Sequence, residues 1–268
     1  MLVLGIESAT PVASVALVDE IGLLAEMSLN VGLTHSEQLL PMIDNLLSQC
    51  RRNIKEVTCI GVSAGPGSYT GLRIGMATAK ALAQGIGAAQ GQVYLISVPT
   101  LEAMAWALRG QKTLASPVLN ARRGQIYAGL YAWRDSHDVC VINSDISDIN
   151  GLFASRQRGK KERMPAGADS GGMTLECLIS PVAVEPADWA ARVGAFAKGS
   201  ASVCLLGEGA ALYKEIWARD LGDRAFALPP VAGLCRGAYI ALTAMEMMAG
   251  RDRPEEFYDV KPIYLRGI

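Results

Sequence analysis

His35 and Ser36 are the first residues of the chain that could pair as base and nucleophile, inside the run Thr34-His35-Ser36-Glu37. Such a pair needs the base within hydrogen-bond reach of the hydroxyl. Adjacent positions at a helix start do not face each other. The same four residues match the S/T-x-x-E capping box, with Thr34 as the cap and Glu37 reaching back. The other histidine, His137, falls in an expected turn, and no G-x-S-x-G elbow is present. Two imidazoles do not make a several-histidine zinc or iron site within one chain. Six cysteines (Cys50, Cys59, Cys140, Cys177, Cys204, Cys235) are scattered without a C-x-x-C pair. They read as reduced core residues rather than disulfides or zinc ligands.

The strongest local motif is Ala64-Gly65-Pro66-Gly67-Ser68-Tyr69-Thr70-Gly71. Glycine-rich backbone ahead of a helix can cradle an anion. The spacing is neither G-x-x-x-x-G-K-[ST] nor G-x-G-x-x-G, and no lysine follows before Lys80. A tight strand-to-helix turn, or a protein contact, is therefore preferred over phosphate binding. Downstream, Gly71, Gly75, Ala79, Ala83 and Gly87 recur every four residues, leaving one helix face nearly bare. Glycine in a helix costs ~1 kcal/mol relative to alanine, a cost best understood if another backbone approaches that face closely. Helix–sheet packing within the domain and a subunit interface are both open. In the latter case Gly75→Leu should weaken association without unfolding the rest. Gly207-Glu208-Gly209 is either a nucleotide contact or a helix cap.

The elements that must position these residues follow from apolar patterning. Met1–Glu7, Val12–Val18 and Leu23–Leu29 form a three-strand meander. A helix over Glu37–Cys50 follows, with Pro41 an awkward interior residue that favours a kink or a start near Leu40. A strand at Val57–Ser63, a helix at about Thr70–Gln84 and a strand at Gln92–Ser97 complete a β-β-β-α-β-α-β order, with long crossovers that imply parallel strands. Leu114–Asn120, Gln125–Trp133 and Val139–Asn143 repeat the meander, which suggests a duplicated two-lobed fold. Residues 144–183 read as an irregular surface insertion. Helices are expected at Asp188–Ala197, Ala210–Ala218 and Leu234–Met248, a strand at Ser202–Leu206, and an extended tail at Val260–Leu265. The domains are then 1–105, 106–232 and a C-terminal helix and tail over 233–268, with the helix at 233–249 available to pack on the first lobe.

Composition narrows the function. The 268 residues carry 25 Lys+Arg against 26 Asp+Glu, and half are hydrophobic. That balance supports a large core and argues against solitary nucleic-acid binding, which favours a basic excess. The first basic residue is Arg51; before it stand Glu7, Asp19, Glu20, Glu26, Glu37 and Asp44. The apolar start lacks the positive n-region of a secretory signal, and no run reaches the ~18 apolar residues of a membrane span, so a cytoplasmic protein without membrane contact is expected. Arg156–Arg163 is a basic run that reads first as solvated surface.

Leu4-Gly5-Ile6-Glu7-Ser8-Ala9-Thr10, His35-Ser36-Glu37 with Leu40-Pro41, and Gly65–Gly75 occur in the same order in a known family. So do Asn120-Ala121-Arg122-Arg123 with Ile126-Tyr127, Gly207-Glu208-Gly209-Ala210 and Pro262-Ile263-Tyr264-Leu265-Arg266. Together they resemble the bacterial TsaB (YeaZ) family, accessory subunits of tRNA threonylcarbamoyladenosine synthesis. The resemblance implies an α/β fold of the actin/Hsp70-like type, duplicated into two lobes, each a mixed sheet with helices. It implies no catalytic residue and no metal site here, and no tightly bound cofactor. The threonylcarbamoyl group would be transferred, to the adenosine next to the anticodon, by a TsaD-type catalytic paralogue that holds the metal with a histidine pair. A TsaE-type ATPase joins it, so ATP and metal belong to the partners and tRNA is met only within the complex. Alignment with the paralogue puts its ligand positions at Thr100 and Met104, neither of which replaces an imidazole.

The family's contacts use two first-lobe helices, which points to Leu39, Met42, Ile43, Leu46, Leu72, Gly75, Met76 and Ala79 as the partner interface, with a homodimer through the same helices as an alternative pairing. Glu7, Ser8, Thr10, Gly65, Gly67, Asn120, Gly207 and Gly209 match a vestigial nucleotide site. Glu7 and Asn120 depart from the aspartates common at those positions, which weakens an ATPase reading. The competing classes are a glycoprotease-type metallopeptidase and an independent ATPase of the actin-like fold.

Overall fold

The computed structural model describes residues 1–31, 35–135, 172–197, 202–249 and 260–265. Strands β1 (Val3–Glu7), β2 (Ala13–Val18) and β3 (Leu23–Leu29) form the first meander. They are followed by α1 (His35–Gln49), β4 (Cys59–Gly65), α2 (Tyr69–Gln90), β5 (Tyr94–Pro99) and the short α3 (Thr100–Met104). A 3-10 turn at Ala105–Leu108 leads into β6 (Leu114–Arg122) and β7 (Gln125–Asp135). Then come β8 (Met173–Val184), α4 (Pro186–Phe196), β9 (Val203–Leu206), α5 (Glu208–Leu212), α6 (Lys214–Asp220), β10 (Ala225–Ala227) and α7 (Gly237–Ala249).

The strands make two five-stranded sheets, ordered β3-β2-β1-β4-β5 and β10-β9-β6-β7-β8. In the first, β1 pairs antiparallel with β2 and parallel with β4. In the second, β6 pairs antiparallel with β7 and parallel with β9. Read from β6 outward, the second sheet repeats the first in order and direction. The duplication expected from the meander is thus present as topology.

Several elements differ from the sequence expectation. Residues 173–184, expected to fall largely in an irregular insertion, form β8, which pairs antiparallel with β7 from Ile126↔Val184 to Asp135↔Met173. Glu176, Ser180 and Pro181 interrupt its apolar alternation, and an edge strand tolerates them because one side makes no ladder bonds. Val139–Asn143, the strand expected in that place, lies outside the described residues, as do Thr34, His137, Cys140 and Arg156–Arg163. Helix α1 runs through Pro41 without a break in its helical assignment. Pro41 is exposed, so water can take the carbonyl it leaves unpaired. Helix α2 continues past Gln84 to Gln90 and is capped by Gly91, where φ is +96° and a side chain would be strained.

Among the described residues the core has three parts. One lies under α1 and α2 against the first sheet, with Leu4, Ile6, Ile43, Leu46, Met76 and Ala79 among its members. A second joins the sheets, gathering Val3 and Ile96 with Ala115 and Cys204 around α3 and α7. The third lies beneath α4, where fully buried Trp189 donates its indole N–H to Ser116 Oγ at 3.0 Å.

Candidate functional site

Glu7 ends β1, and its neighbours define the first cluster. It is fully buried, and Thr10 donates its backbone N–H to Oε1 at 3.0 Å. Oε2 finds no hydrogen bond of ordinary geometry. Burial raises the Glu7 pKa, and the nearby Cys235 thiol and Ser63 hydroxyl only partly oppose it. Burial, and then the same contact with Glu7, push the Cys235 thiol up. Glu7 is therefore biased toward the neutral acid, which is poorly suited to holding a cation. Ser8 donates its backbone N–H to Ser63 Oγ at 3.1 Å, while its own hydroxyl is buried and unpartnered. Thr10 offers its carbonyl to His35 Nε2 at 3.0 Å. A carbonyl only accepts, so that ring nitrogen carries the hydrogen, and His35 braces the turn instead of serving a nucleophile.

The glycine-rich turn closes on the chain's own backbone. A Cβ on Gly67 would overlap the Ala9 carbonyl, one on Gly71 the Ser8 carbonyl, and one on Gly75 the Ser8 hydroxyl. Gly65, at φ +111°, faces the Ile263 carbonyl, and the Ile263 N–H donates to the Ala64 carbonyl at 2.6 Å. Thr100 is buried and accepts the Gly65 N–H at 3.1 Å. Ser68 caps α2 through the Gly71 N–H at 3.2 Å, and its own N–H donates to the Ala9 carbonyl at 2.7 Å. The bare face of α2 is thus explained, at its N-terminal half, by close approach to the β1 end. Of the two readings open from sequence, packing within the lobe accounts for Gly71 and Gly75.

Asn120, Gly207 and Gly209 gather at the equivalent end of the second sheet. Asn120 donates its N–H to Glu208 Oε1 at 3.1 Å and accepts the Arg122 N–H at 2.9 Å. Gly207, at φ +92°, and Gly209 each lie where a Cβ would press on the Val118 carbonyl, at 2.8 and 2.9 Å. Met104, 1% exposed, reaches the same place: its Cε would lie 2.8 Å from a Gly207 Cβ. The eight residues of the expected nucleotide site therefore form two clusters, one at the end of each sheet, both packed against other residues of the same chain.

The expected interface residues need correction. Leu39, Met42, Ile43, Leu46, Leu72, Met76 and Ala79 all lie in the core, with 4% at Met76 the largest exposure, and Gly75 is buried with them. Helical spacing identified the apolar faces correctly, but those faces serve the first sheet. On the solvent side stand Leu40, 53% exposed, and Tyr69, 42% exposed. Tyr69 stacks on Tyr264 of the tail with ring centroids 5.4 Å apart, and the Arg73 guanidinium lies 4.1 Å above the Tyr69 ring. No local signal tied the tail to α2, because the partners are far apart in sequence. Among the described residues, no group of three or more metal-ligating side chains occurs. None of their helices is long and apolar enough to cross a membrane.

Residues 30–226 match the family model described as TsaD, tRNA N6-adenosine threonylcarbamoyltransferase. The tRNA threonylcarbamoyladenosine biosynthesis protein TsaB of Bacillus subtilis is 32% identical over 61% of this chain and 67% of its own length. Its Escherichia coli counterpart is 32% identical over 64% of this chain and 77% of its own. The chain belongs to this family, in its TsaB branch. The solved structure of YeaZ from Pseudomonas aeruginosa superposes with a TM-score of 0.68 at 20% identity, over 98% of this chain and 99% of that one, which shows the shared fold. Within the TsaB branch, the Gly65–Gly75 block acquires a physical reason here: each small residue at its loop and first helical turns admits a neighbouring stretch of the same chain.

Proposed function

We propose that this TsaB-family chain acts in the cytoplasm as a non-catalytic support of a complex that threonylcarbamoylates tRNA. Its catalytic partner is a TsaD-type paralogue that supplies the metal, and a TsaE-type ATPase joins them. The observation that carries this reading is the self-packing of the glycine-rich turn. Gly65, Gly67, Gly71 and Gly75 are filled by Ile263, Ala9 and Ser8 of the same chain, so their bare surface is already used. The buried Glu7, whose pKa is raised by burial, supports it, because phosphoryl chemistry needs an acid that ionises readily to hold a cation. Thr100 and Met104, at the positions aligned with the paralogue's histidines, are both buried in structural contacts.

The partner is met by the outer faces of α1 and α2, through Leu40, Tyr69 and the adjoining Tyr264, rather than by the buried residues of those helices. The decisive experiment is reconstitution. Purified chain alone should leave tRNA unmodified, and adding the metal-bearing paralogue should produce modified tRNA. Modification by the isolated chain would overturn the reading. In the same system, Leu40→Asp with Tyr69→Ala should raise the dissociation constant for the partner by tenfold or more, about 1.4 kcal/mol, if these residues anchor the contact.

A further inference from the structure

Arg109 leaves the 3-10 turn that carries the chain from the first sheet to the second. Its guanidinium lies 4.4 Å over the Trp106 ring and 4.7 Å over the Trp133 ring. The two indoles meet edge to face with centroids 5.3 Å apart. Trp133 belongs to β7 of the second sheet, and its indole N–H donates to the Ala105 carbonyl at 2.8 Å. Arg109 Nη1 then reaches Glu246 Oε1 at 2.6 Å, on the last turns of α7. Helix α7 is seated on the first sheet, where Gly5 and Gly61 admit Gly237, Ala241 and Ala244. One side chain thus touches the crossover, the second sheet and the helix fixed to the first.

The chemistry suits a fixed joint. A guanidinium stacks flat on aromatic faces while offering in-plane donors to a carboxylate, which an ammonium cannot do. Both partners of the ion pair are mostly shielded, with side-chain exposures of 20% and 23%, so salt screens the pair less than it would a surface bridge. Burial raises the Glu246 pKa, while Arg109 opposes that rise by favouring the carboxylate. Beneath the clasp, the core shared by both sheets is continuous from Val3 and Ile96 to Ala115 and Cys204.

We infer that Arg109 is an interlobe clasp, which holds the two sheets at one angle and keeps the lobes from parting about the 105–109 crossover. The two sheets meet at this crossover, and in this chain the joint is pinned. The inference concerns the chain alone and stands whether or not the proposed partner is the right one.

Hydrogen–deuterium exchange on the full chain tests it, with small-angle scattering alongside. Arg109→Ala should speed exchange by about tenfold or more at residues 105–109 and 244–249, the signature of a local opening. Protection of β1, β4, β6 and β9 should stay as in the parent, and the radius of gyration should rise. Arg109→Lys keeps the charge opposite Glu246 but loses planar stacking, and Glu246→Gln keeps the stacking but loses the ion pair. Both should fall between parent and Arg109→Ala, and they carry the test if the alanine variant does not fold. Unchanged exchange at 105–109 and 244–249 in these variants would overturn the clasp. So would a uniform loss of protection across both sheets, which would make Arg109 a general contributor to stability and not a joint.

Discussion

At the residue scale, the useful distinction is between side chains that are available and side chains already spent on the fold. Gly75 is spent: its missing Cβ is the space taken by the Ser8 hydroxyl. Gly75→Leu should therefore destabilise the monomer by ~1–3 kcal/mol or more through overpacking, read as a lower urea midpoint. Weaker association with an unchanged midpoint would restore the interface reading. Glu102 on α3 gives a second test. Burial raises its pKa to about 7; burial first, and then the Glu102 charge, raise the Tyr131 and Cys177 pKa values. Between the ordinary carboxylate range and pH ~7, the native state holds this proton and the unfolded chain does not. The Glu102 contribution to stability should fall as pH rises through that window, by at most ~1.4 kcal/mol per pH unit, and level off above it. Glu102→Gln should reduce the overall slope, leaving that in the same direction from Glu7 and Glu246, whose pKa values are also raised. A slope identical to the parent's would show that Glu102 ionises normally.

At the scale of elements, two small-residue contacts assemble the first lobe. Helix α2 lays Gly71 and Gly75 against the end of β1. On the sheet, Gly5 and Gly61 are cross-strand partners, and together they make the flat patch on which α7 sits. The α2 stripe was legible because five small residues repeat at helical spacing. The α7 patch was not, because two glycines in separate strands become neighbours only once β1 and β4 pair. Gly61→Val should lift α7, since even a Cβ there would stand 2.7 Å from the Ala244 methyl and 3.0 Å from the Ile240 carbonyl. A stability loss of ~1–3 kcal/mol is expected, with exchange rising first in α7. Undisturbed α7 protection would mean that the helix is held elsewhere. Helix α7 is also tied at its start: Ser14 Oγ accepts the Gly237 N–H at 2.9 Å, and Glu26, ion-paired to Arg236, accepts the Ala238 N–H at 3.0 Å.

At the scale of the molecule, the two sheets are not independent units. Apolar residues of both, with α3 and α7, form one cluster. Urea unfolding followed by tryptophan fluorescence and by far-ultraviolet dichroism should give coincident curves, although chains of this length often populate intermediates. Two separated transitions would show lobes of unequal, uncoupled stability.

The sequence by itself determined the first meander, the first two strands of the second, the crossover helices, the family and the shortage of imidazoles for a several-histidine metal site. Each of these rests on local period, residue count or motif order. It also located the apolar faces of α1 and α2. Only the tertiary structure decided what those faces touch, because an apolar stripe is equally suited to a neighbouring sheet or to another protein. The same limit hid β8, whose broken alternation is tolerated at a sheet edge, and the Tyr264–Tyr69 stack, whose partners are joined only by folding. The near-neutral charge and the two histidines argued against solitary nucleic-acid binding and against a several-imidazole metal site. What folding added is the reason its strongest motif is bare: the glycines make room for the chain's own backbone.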